Sequence, residues 1–265
     1  MISPLAHISP DAVLGRNVKI DPFVVIHEGV RIGDDTHVMS NAVIMSGTVI
    51  GKSCLIFPGA VLGAVPQDLK FVGEKTTVEI GDHTTIREFV TVNRGTQDKW
   101  KTVIGSHCLL MAYAHVAHDC VLGDHVILAN SVQLAGHVEV GDYAIIGGLA
   151  GAPQFARIGA HTYVAGHSVI NKDVPPFIKA GRSPISFAGV NSVGLQRRGF
   201  TNETINAILE IYRTIYNKGL NTSQALEYTE QQLPPCSEKD LIVSFIKNSK
   251  RGIIKLFSKA DIDEY

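Results

Sequence analysis

The sequence predicts a mainly β fold, a coil of short parallel β-strands, followed by an α-helical tail. Two observations support this prediction: aliphatic residues recur at every sixth position up to residue 170, and the spacing becomes helical after Val174. The series runs Ile2, Ile8, Leu14, Ile20, Ile26, Ile32, Val38, Ile44, Ile50, Ile56 and Leu62, resumes at Ile80, Ile86 and Val92, continues from Ile104 to Ile146, and ends with Ile158, Val164 and Ile170.

The residues around each aliphatic position fit a short strand and a sharp corner. A small or β-branched residue stands two places before the aliphatic one, as Val18 does before Ile20, and strand alternation puts both on the same face. Gly often follows the aliphatic residue, as at Gly33, and we expect such Gly, Asp and Asn residues to adopt the left-handed conformations of a corner. Because an amphipathic helix needs a period of 3.6, a period of six favours a solenoid.

The repeat is interrupted near residues 63–79 and near residues 96–103. Insertions in a solenoid form surface loops, often on its binding face, although a loop without function would give the same pattern. We therefore divide the chain into a repeat domain, residues 1–174, and a tail domain, residues 175–265. The two breaks contain the segments Pro66-Gln67-Asp68-Leu69-Lys70-Phe71 and Thr96-Gln97-Asp98-Lys99-Trp100-Lys101.

The tail begins at Pro175-Pro176, where the repeat ends. We expect an irregular stretch as far as about Arg198, then three helices with apolar residues at helical spacing, the last two separated by Pro234-Pro235. The residues that predict the helices are Ile205, Ile208, Leu209, Tyr212, Ile215 and Tyr216 for the first, Leu226 for the second, and Leu241, Ile242, Phe245 and Ile246 for the third.

Composition excludes several functional classes. The formal net charge is −1, so no global basic field attracts nucleic acid. No apolar run approaches the roughly 18 residues that span a bilayer, and the N-terminus lacks the features of a signal peptide. We expect a cytoplasmic protein whose cysteines are buried thiols, since no CxxC pair occurs among Cys54, Cys108, Cys120 and Cys236.

The period of six resembles that of the hexapeptide-repeat superfamily. The resemblance implies a left-handed parallel β-helix shaped as a triangular prism, with 18 residues per coil, roughly nine or ten coils, and assembly into a homotrimer with sites between subunits. At 18 residues per coil, His118, Gly136 and Gln154 form one column, and His137 follows Gly136. Adjacent coils are about 4.8 Å apart, as paired strands are.

This column suits acyl transfer to an alcohol. A neutral His118 can remove the hydroxyl proton, and the N–H of Gly136, unobstructed by a side chain, can stabilise an oxyanion. Asp119 could orient an imidazole, although adjacent residues of an ideal strand point apart unless a corner intervenes. The alternative is that histidines at corners are polar surface residues.

A second column of Asn130, Gly148 and Gly166 forms a strip with few side chains, and Gly147 and Ala165 lie beside it. Glycines are common at corners, so corner geometry explains the strip equally well. The functional interpretation is a groove against a neighbouring subunit that houses an acyl chain.

Longer motifs resemble the family of acyl-[acyl-carrier-protein]–UDP-N-acetylglucosamine O-acyltransferases over nearly the whole chain. The matching segments are Gln67-Asp68-Leu69-Lys70, Asn93-Arg94-Gly95-Thr96, Ala114-His115-Val116-Ala117-His118-Asp119-Cys120, Leu134-Ala135-Gly136-His137, Ile145-Ile146-Gly147-Gly148, Asp173-Val174-Pro175-Pro176, Gly189-Val190-Asn191 and Gly194-Leu195-Gln196-Arg197-Arg198-Gly199-Phe200.

The resemblance implies transfer of a (3R)-hydroxyacyl chain from the phosphopantetheine thioester of acyl carrier protein to the 3-OH of UDP-N-acetylglucosamine, the first step of lipid A biosynthesis, without a metal or other cofactor. It makes His118 the general base beside Asp119, and the Gly136 N–H the oxyanion donor. It places Gly166 near the end of the acyl pocket. It assigns acceptor and thioester contacts to Gln67, Lys70, His115, His137 and Gln154, and nucleotide or carrier contacts to Asn191, Arg197 and Arg198.

Three residues depart from some relatives: Asn93 and Pro153 replace His, and Val193 replaces an acidic residue. Acyl chain length and the choice between UDP-N-acetylglucosamine and its 3-amino analogue stay open. Other enzymes with this repeat are alternatives. An N-acyltransferase of the same pathway needs an additional N-terminal domain. A zinc carbonic anhydrase needs two histidines five positions apart, a spacing absent here. Acetyl-coenzyme-A-dependent sugar acetyltransferases lack the Arg197-Arg198-Gly199-Phe200 signature, and an ice-binding solenoid needs outward rows of Thr.

Overall fold

The computed structural model describes residues 1–257 and shows a left-handed parallel β-helix with α-helices at its C-terminal end. The predicted mainly β fold class is therefore confirmed. The division of the chain at residue 174 stays a prediction, and the last eight residues of the predicted tail domain lie outside the described residues.

Three parallel sheets form the three faces of the prism. The first face contains β1 His7–Ile8, β4 Val25–Ile26, β7 Val43–Ile44, β10 Val61–Ala64, β13 Thr91–Asn93, β16 His115–Val116, β19 Gln133–Leu134 and β22 Gly151–Ala152. The second contains β2 Val13–Leu14, β5 Arg31–Ile32, β8 Thr48–Ile50, β11 Thr77–Ile80, β14 Lys101–Ile104, β17 Val121–Leu122, β20 Glu139–Val140 and β23 Arg157–Ile158. The third contains β3 Lys19–Ile20, β6 His37–Val38, β9 Leu55–Ile56, β12 Thr85–Ile86, β15 Leu109–Leu110, β18 Ile127–Leu128, β21 Ile145–Ile146 and β24 Tyr163–Val164.

The aliphatic residues of the six-residue series point into the prism and stack on one another. Val116 pairs with Leu134, and Leu134 pairs with Ala152, which is a step of 18 residues per coil. Val116 and Leu134 are at most 1% exposed. Burying a Val or Leu side chain contributes roughly 1.5–3 kcal/mol, so this interior column is the main source of stability.

The chain turns at three corners, and at each turn one residue adopts a left-handed conformation. We name the corners by the residues of the later coils, whose φ angles lie between 58° and 63°. The first corner holds Asp119, His137 and Phe155, the second holds His125, Tyr143 and His161, and the third holds Ser131, Leu149 and His167.

The prediction that glycines such as Gly33 supply the left-handed conformation is wrong. That conformation belongs to Asp35, two residues later, with φ 60°. A Cβ on Gly33 would lie 2.6 Å from the carbonyl carbon of Gly51 in the next coil. The glycine is therefore required because the backbones of successive coils approach closely at this position. Asp and Asn residues do adopt left-handed conformations, as predicted.

Both insertions leave the prism after a strand of the first face. The first runs from the end of β10 to the start of β11, and the second from the end of β13 to the start of β14. Across the second insertion Thr91 pairs with His115, a step of 24 residues instead of 18. Both loops fold against the first corner, where Thr96 contacts Asp119 and Asp68 approaches His118.

The predicted irregular stretch before Arg198 is instead regular. It contains β25 Ile178–Gly181, β26 Ser186–Val190 and helix α1 Ser192–Arg197. Strand β25 adds to the third face in parallel to β24, and β26 returns antiparallel to it. These elements lack the six-residue period and are short, so the sequence pattern did not reveal them.

The three predicted tail helices are present: α2 Asn202–Asn217, α3 Thr222–Gln232 and α4 Ser237–Lys247. Helix α2 begins after Thr201, whose side chain accepts a hydrogen bond from the N–H of Thr204. Its buried face includes Ile208 and Tyr212, and the Tyr212 hydroxyl donates to the carbonyl of Pro176. Leu241 of α4, one of the apolar residues that predicted this helix, is 43% exposed. Within residues 1–257 no helix has the length and apolar character needed to cross a membrane.

After α4 the chain returns across the prism through residues 248–256, which we call the C-terminal strap. Backbone bridges join Asp173 to Ile253 and Phe187 to Leu256. The buried Asp173 carboxylate accepts hydrogen bonds from the Ser249 hydroxyl at 2.6 Å and from the Arg157 N–H at 3.0 Å. The strap is therefore fixed next to the first corner.

Candidate active site

His118 and Asp119 form a buried hydrogen-bonded pair at the first corner. The distance from His118 Nδ1 to Asp119 Oδ2 is 2.8 Å, and the two residues are 3% and 0% exposed. The left-handed φ of 60° at Asp119 turns its carboxylate back towards the preceding imidazole. Because the carboxylate holds the proton on Nδ1, the Nε2 atom carries the free lone pair that a base needs.

The second insertion encloses the Asp119 carboxylate. Its Oδ2 atom accepts from the Thr96 hydroxyl at 2.7 Å, and its Oδ1 atom accepts from the Thr96 N–H at 2.9 Å and the Lys99 N–H at 3.2 Å. Burial alone would raise the pKa of Asp119, but the hydrogen bonds from Thr96 and His118 outweigh it and place that pKa below its ordinary value. Asp119 is therefore an ionised carboxylate at neutral pH.

Gly136 lies directly against the His118 ring. A Cβ at this position would be 2.5 Å from His118 Cε1 and 2.6 Å from Nε2. Among residues 1–257 no acceptor receives a hydrogen bond from the Gly136 N–H. The predicted column is confirmed, because His137 N–H donates to the His118 carbonyl and Phe155 N–H donates to the Gly136 carbonyl.

His137 packs edge-on against His118, with ring centroids 5.0 Å apart and planes at 89°. Its other side stacks on Phe155 at 4.3 Å. The Asp98 carboxylate lies 3.2 Å from His137 Nδ1. Burial lowers the pKa of His137 more than Asp119 and Asp98 raise it, so its imidazole is neutral at pH 7.

His115 lies on the first face, in strand β16, which leads into this corner. Its Nδ1 atom is 2.7 Å from the Thr91 hydroxyl. Burial, together with the neighbouring His118, lowers the pKa of His115. Its imidazole is therefore neutral and available for hydrogen bonding to a substrate.

The first insertion contributes an acidic and a basic side chain. Asp68 Oδ2 is 4.0 Å from His118 Nε2, and Lys70 lines a cavity of about 370 Å³ that extends to His137. Gln67 is exposed and does not line this cavity. Gln154 is also exposed, and its carbonyl accepts a hydrogen bond from Arg251 of the strap.

The tail residues singled out by the sequence lie at the second corner. The Asn191 side-chain amide donates to the His161 carbonyl at 2.9 Å, and Arg198 Nη2 donates to the Tyr143 carbonyl at 3.0 Å. Burial, assisted by the Arg198 charge, lowers the pKa of His161 to about 4. Arg197 is exposed.

The column of Asn130, Gly148 and Gly166 leads to the third corner. Leu149 N–H donates to the Asn130 carbonyl, and His167 N–H donates to the Gly148 carbonyl, so the stacking is confirmed. A Cβ on Gly166 would lie 3.0 Å from the Gly148 carbonyl oxygen. Glycine therefore relieves a close backbone contact and also keeps the strip free of side chains.

The structure brings together His118, Asp119, Gly136, His137 and Lys70, with His115 nearby. It separates them from Asn191, Arg197 and Arg198 and from the glycine strip, because these lie at the other two corners of the same chain. The sequence interpretation gave no role in the site to three of its residues, Asp68, Thr96 and Asp98. The first two stand within motifs that carried the family resemblance, which was the available signal.

His118, Asp119 and His137 also place their donor atoms within 4.8 Å of one another, close enough to hold a metal ion. The Asp119 carboxylate, however, already accepts hydrogen bonds from His118 and from the second insertion. Its geometry is that of a carboxylate orienting an imidazole.

The three residues that differ from those of some relatives, Asn93, Pro153 and Val193, have different surroundings. Asn93 is 3% exposed, and its Oδ1 atom has no hydrogen-bond partner within residues 1–257. Pro153 precedes the exposed Gln154 in the first-corner column. Val193 is 61% exposed on α1. None of the hydrogen bonds described above joins Asn93, Pro153 or Val193 to His118 or Asp119.

Comparison with known proteins identifies close relatives. Residues 173–254 match a profile described as Udp N-acetylglucosamine O-acyltransferase; Domain 2, and residues 11–46, 29–64 and 101–136 match the bacterial transferase hexapeptide. Acyl-[acyl-carrier-protein]–UDP-N-acetylglucosamine O-acyltransferases of Thermodesulfovibrio yellowstonii and Halorhodospira halophila are 43% and 47% identical to the chain, each over 96% of it and 99% of the relative. The crystal structure of LpxA, a UDP-N-acetylglucosamine acyltransferase from Bacteroides fragilis, is 51% identical over 96% of this chain and 100% of that chain, with a TM-score of 0.95.

Proposed function

This chain belongs to the family of acyl-[acyl-carrier-protein]–UDP-N-acetylglucosamine O-acyltransferases, and on that premise we propose that His118 is its general base and the Gly136 N–H its oxyanion donor. The donor is a (3R)-hydroxyacyl chain on acyl carrier protein, and the acceptor is the 3-OH of UDP-N-acetylglucosamine. The reaction is the first step of lipid A biosynthesis.

His118 Nε2 takes the proton of the sugar hydroxyl as its oxygen attacks the thioester carbonyl. Asp119 holds Nδ1–H and stabilises the imidazolium that forms. The Gly136 N–H donates to the oxyanion of the tetrahedral intermediate. Collapse of this intermediate breaks the carbon–sulfur bond, and the thiolate of the phosphopantetheine arm receives the proton from His118. This sequence balances protons without any other cofactor.

The observation that carries this proposal is the 2.8 Å hydrogen bond between His118 and the buried, ionised Asp119, with the bare backbone of Gly136 against the same ring. A surface histidine needs neither a buried carboxylate nor a glycine at its face. Among the cavities near this pair, the one lined by Lys70, Asp68 and His137 suits the hydroxyl groups of a sugar.

We place the complete site between subunits of a homotrimer. The family's nucleotide or carrier contacts, Asn191, Arg197 and Arg198, lie at the second corner, and the bare glycine strip leads to the third. A single chain therefore cannot present all of them to one substrate at the first corner. Neighbouring copies, each offering a different corner, would complete the site.

The acyl chain is assigned to the glycine strip, with Gly166 near its end. We expect acceptance of a hydroxyacyl chain of about 12 to 16 carbons over a shorter one, since each buried methylene is worth about 0.8 kcal/mol. Gly166→Met should block the groove and shift preference towards shorter chains. Gly166→Ala is the control, because it introduces the close contact with Gly148 but little bulk.

The test is an assay of the purified protein with a ladder of acyl carrier thioesters, using UDP-N-acetylglucosamine and its 3-amino analogue as acceptors. Transfer to the 3-OH is the expected result, and preference for the amine would overturn the acceptor assignment. If Gly166→Met lowers turnover equally for every chain, Gly166 is a backbone requirement and not a length determinant. Zinc at one equivalent in the active protein, with activity lost on its removal, would contradict the cofactor-free mechanism.

A further inference from the structure

A second and larger cavity adjoins the site on the side of the C-terminal strap. It has a volume of about 620 Å³ and shares His137, Phe155 and Asp98 with the smaller cavity that holds Lys70. The two cavities therefore meet at His137, one extending towards the insertions and the other towards the strap. The remaining lining residues of the larger cavity are Lys99, Glu139, Arg157, Asp173, Asn248, Lys250 and Arg251.

Most charges in this cavity are neutralised by neighbours. Glu139 contacts Lys99 at 3.1 Å and Arg157 at 3.3 Å. The Asp173 carboxylate is occupied by its hydrogen bonds from the Ser249 hydroxyl and the Arg157 backbone. Asp98 faces His137. The carboxylates of the wall are thus already engaged.

Two cations of the strap differ from the rest. Within residues 1–257 no carboxylate lies within 4 Å of the side-chain nitrogens of Lys250 or Arg251. Arg251 Nη2 donates to the Gln154 carbonyl at 2.6 Å, whereas its buried Nε–H has no partner in the same part of the chain. An arginine held this way still offers donors to an anion, and burying an unpartnered N–H is costly.

The strap that carries these cations is firmly attached. Asp173 N–H donates to the Gly252 carbonyl at 3.0 Å, and Ile254 N–H donates to the Asp173 carbonyl at 3.0 Å. Lys172 Nζ also donates to the Arg251 carbonyl at 2.8 Å. The backbone of Arg251 and of the residues that follow it is therefore fixed against Lys172 and Asp173, which is the preorganisation that a binding site requires.

We propose that Lys250 and Arg251 form a binding subsite for a phosphate ester of a substrate. This assignment rests on the proposed function, in which both substrates carry phosphate: the donor as the phosphodiester of its phosphopantetheine arm, and the acceptor as its diphosphate. The fixed arginine and the exposed lysine both offer donors that match phosphate oxygens. The two sources share this chemistry, and the experiment has one arm for each.

The variants are Lys250→Gln, Arg251→Gln and the double variant, compared with Lys255→Gln as a matched control. Lys255 is exposed on the same strap and does not line the cavity. With acyl-phosphopantetheine as the donor, the double variant should raise KM about tenfold, the loss expected for one charge-assisted hydrogen bond. With acyl-pantetheine, which lacks the phosphate, wild type and variants should agree.

A second arm titrates UDP-N-acetylglucosamine at fixed donor concentration. A rise in its KM, with unchanged KM for acyl-phosphopantetheine, would keep the subsite and assign it to the acceptor. Unchanged constants in both arms would overturn the subsite. Lys250→Gln keeps the test valid if Arg251→Gln disturbs Gln154, because Lys250 makes no hydrogen bond within residues 1–257.

Direct binding separates this proposal from the proposed function. Calorimetric titration with phosphopantetheine, and with pantetheine as the control, measures the subsite without turnover. Phosphate-dependent binding that the double variant loses supports the subsite even if the wild type transfers no acyl group to the sugar. Equal binding of the two compounds by wild type, together with equal binding of UDP-N-acetylglucosamine by wild type and the double variant, overturns it even if transfer is efficient.

Discussion

The first and second corners have the same backbone geometry but different side-chain arrangements. At the second corner His125, Tyr143 and His161 stack face to face, with successive centroids 4.4 and 4.9 Å apart and planes within 8°. At the first corner the corresponding stack of His137 and Phe155 ends at Asp119, and His118 enters edge-on. A carboxylate and a glycine thus change a structural stack into a site where an imidazole can accept a proton.

This difference separates the two kinds of histidine in the chain. The imidazoles of His125 and His161 at the second corner both stack on Tyr143, which lies between them, and their positions follow from the repeat alone. His118 depends on contacts that no other coil provides, namely Asp119, the second insertion and the bare backbone of Gly136. The proposed active site therefore lies where the insertions interrupt the repeat, and each of these contacts can be removed separately.

The largest effect is expected from His118→Ala compared with His125→Ala. Loss of the general base should reduce kcat by at least the roughly 10²–10⁴-fold typical of such residues. His125→Ala removes one ring of the stack and should retain most activity. Steady-state kinetics with unfolding curves of both proteins make the comparison. Turnover by His118→Ala above a tenth of wild type would remove His118 from the mechanism.

Gly136→Ala should have the next largest effect, about 10²-fold on kcat, because a displacement near 1 Å at a reacting group has that cost. The added Cβ collides with the His118 ring, although the N–H of residue 136 remains. Gly151→Ala is the matched control, since a Cβ there meets its nearest atom at an ordinary 3.9 Å. Equal kinetics for the two variants would show that the glycine does not position His118.

Thr96→Val should lower kcat about tenfold, since it removes one hydrogen bond to a charged group. The bonds to Asp119 lower its pKa, so its stabilising charge is present at neutral pH and is lost as the pH falls. Removing the Thr96 hydroxyl raises that pKa, and the acid limb of the kcat profile should move to higher pH. Thr96→Ser should restore the wild-type profile. A lower melting temperature with an unmoved pH profile would assign Thr96 a structural role only.

His161→Phe at the second corner should give the smallest effect, and it concerns stability. The folded pKa of His161 is about 4 against an ordinary 6.5, so the unfolded chain binds a proton between these pH values that the folded chain does not. Stability therefore falls as the pH drops through this range. Phe keeps the stack, and the variant's unfolding free energy should fall less steeply with decreasing pH. The difference in slope should correspond to less than one bound proton. Urea unfolding midpoints of both proteins at pH 7, 5.5 and 4 measure this difference. An identical dependence on pH in the two proteins would contradict the lowered pKa of His161.

The six-residue period predicted a solenoid of short strands. The resemblance to the hexapeptide-repeat superfamily implied the prism and the 18 residues per coil, which place His118, Gly136 and Gln154 in one column. The period could not place Thr96 or Asp68, because the insertions lack it and reach the first corner only through tertiary folding. It also could not predict the strand pairing across the second insertion, where paired residues are 24 positions apart and not 18. The hairpin β25–β26 was missed for a related reason, since two short strands without repeat give no periodic signal.

The two ends of the prism are finished differently. At the C-terminal end β26 packs on α2, and Phe187 stacks on Tyr216, whereas at the N-terminal end Met1 and Leu5 are 90% and 59% exposed. In a solenoid each rung is stabilised only by its neighbours, so an uncovered terminal rung opens first. Amide hydrogen exchange should therefore be fastest in the first coils, which open from the N-terminus inward, and slower in the later coils. The rungs that hold His118 lie far from this end. They should therefore stay closed while the first rungs open and close.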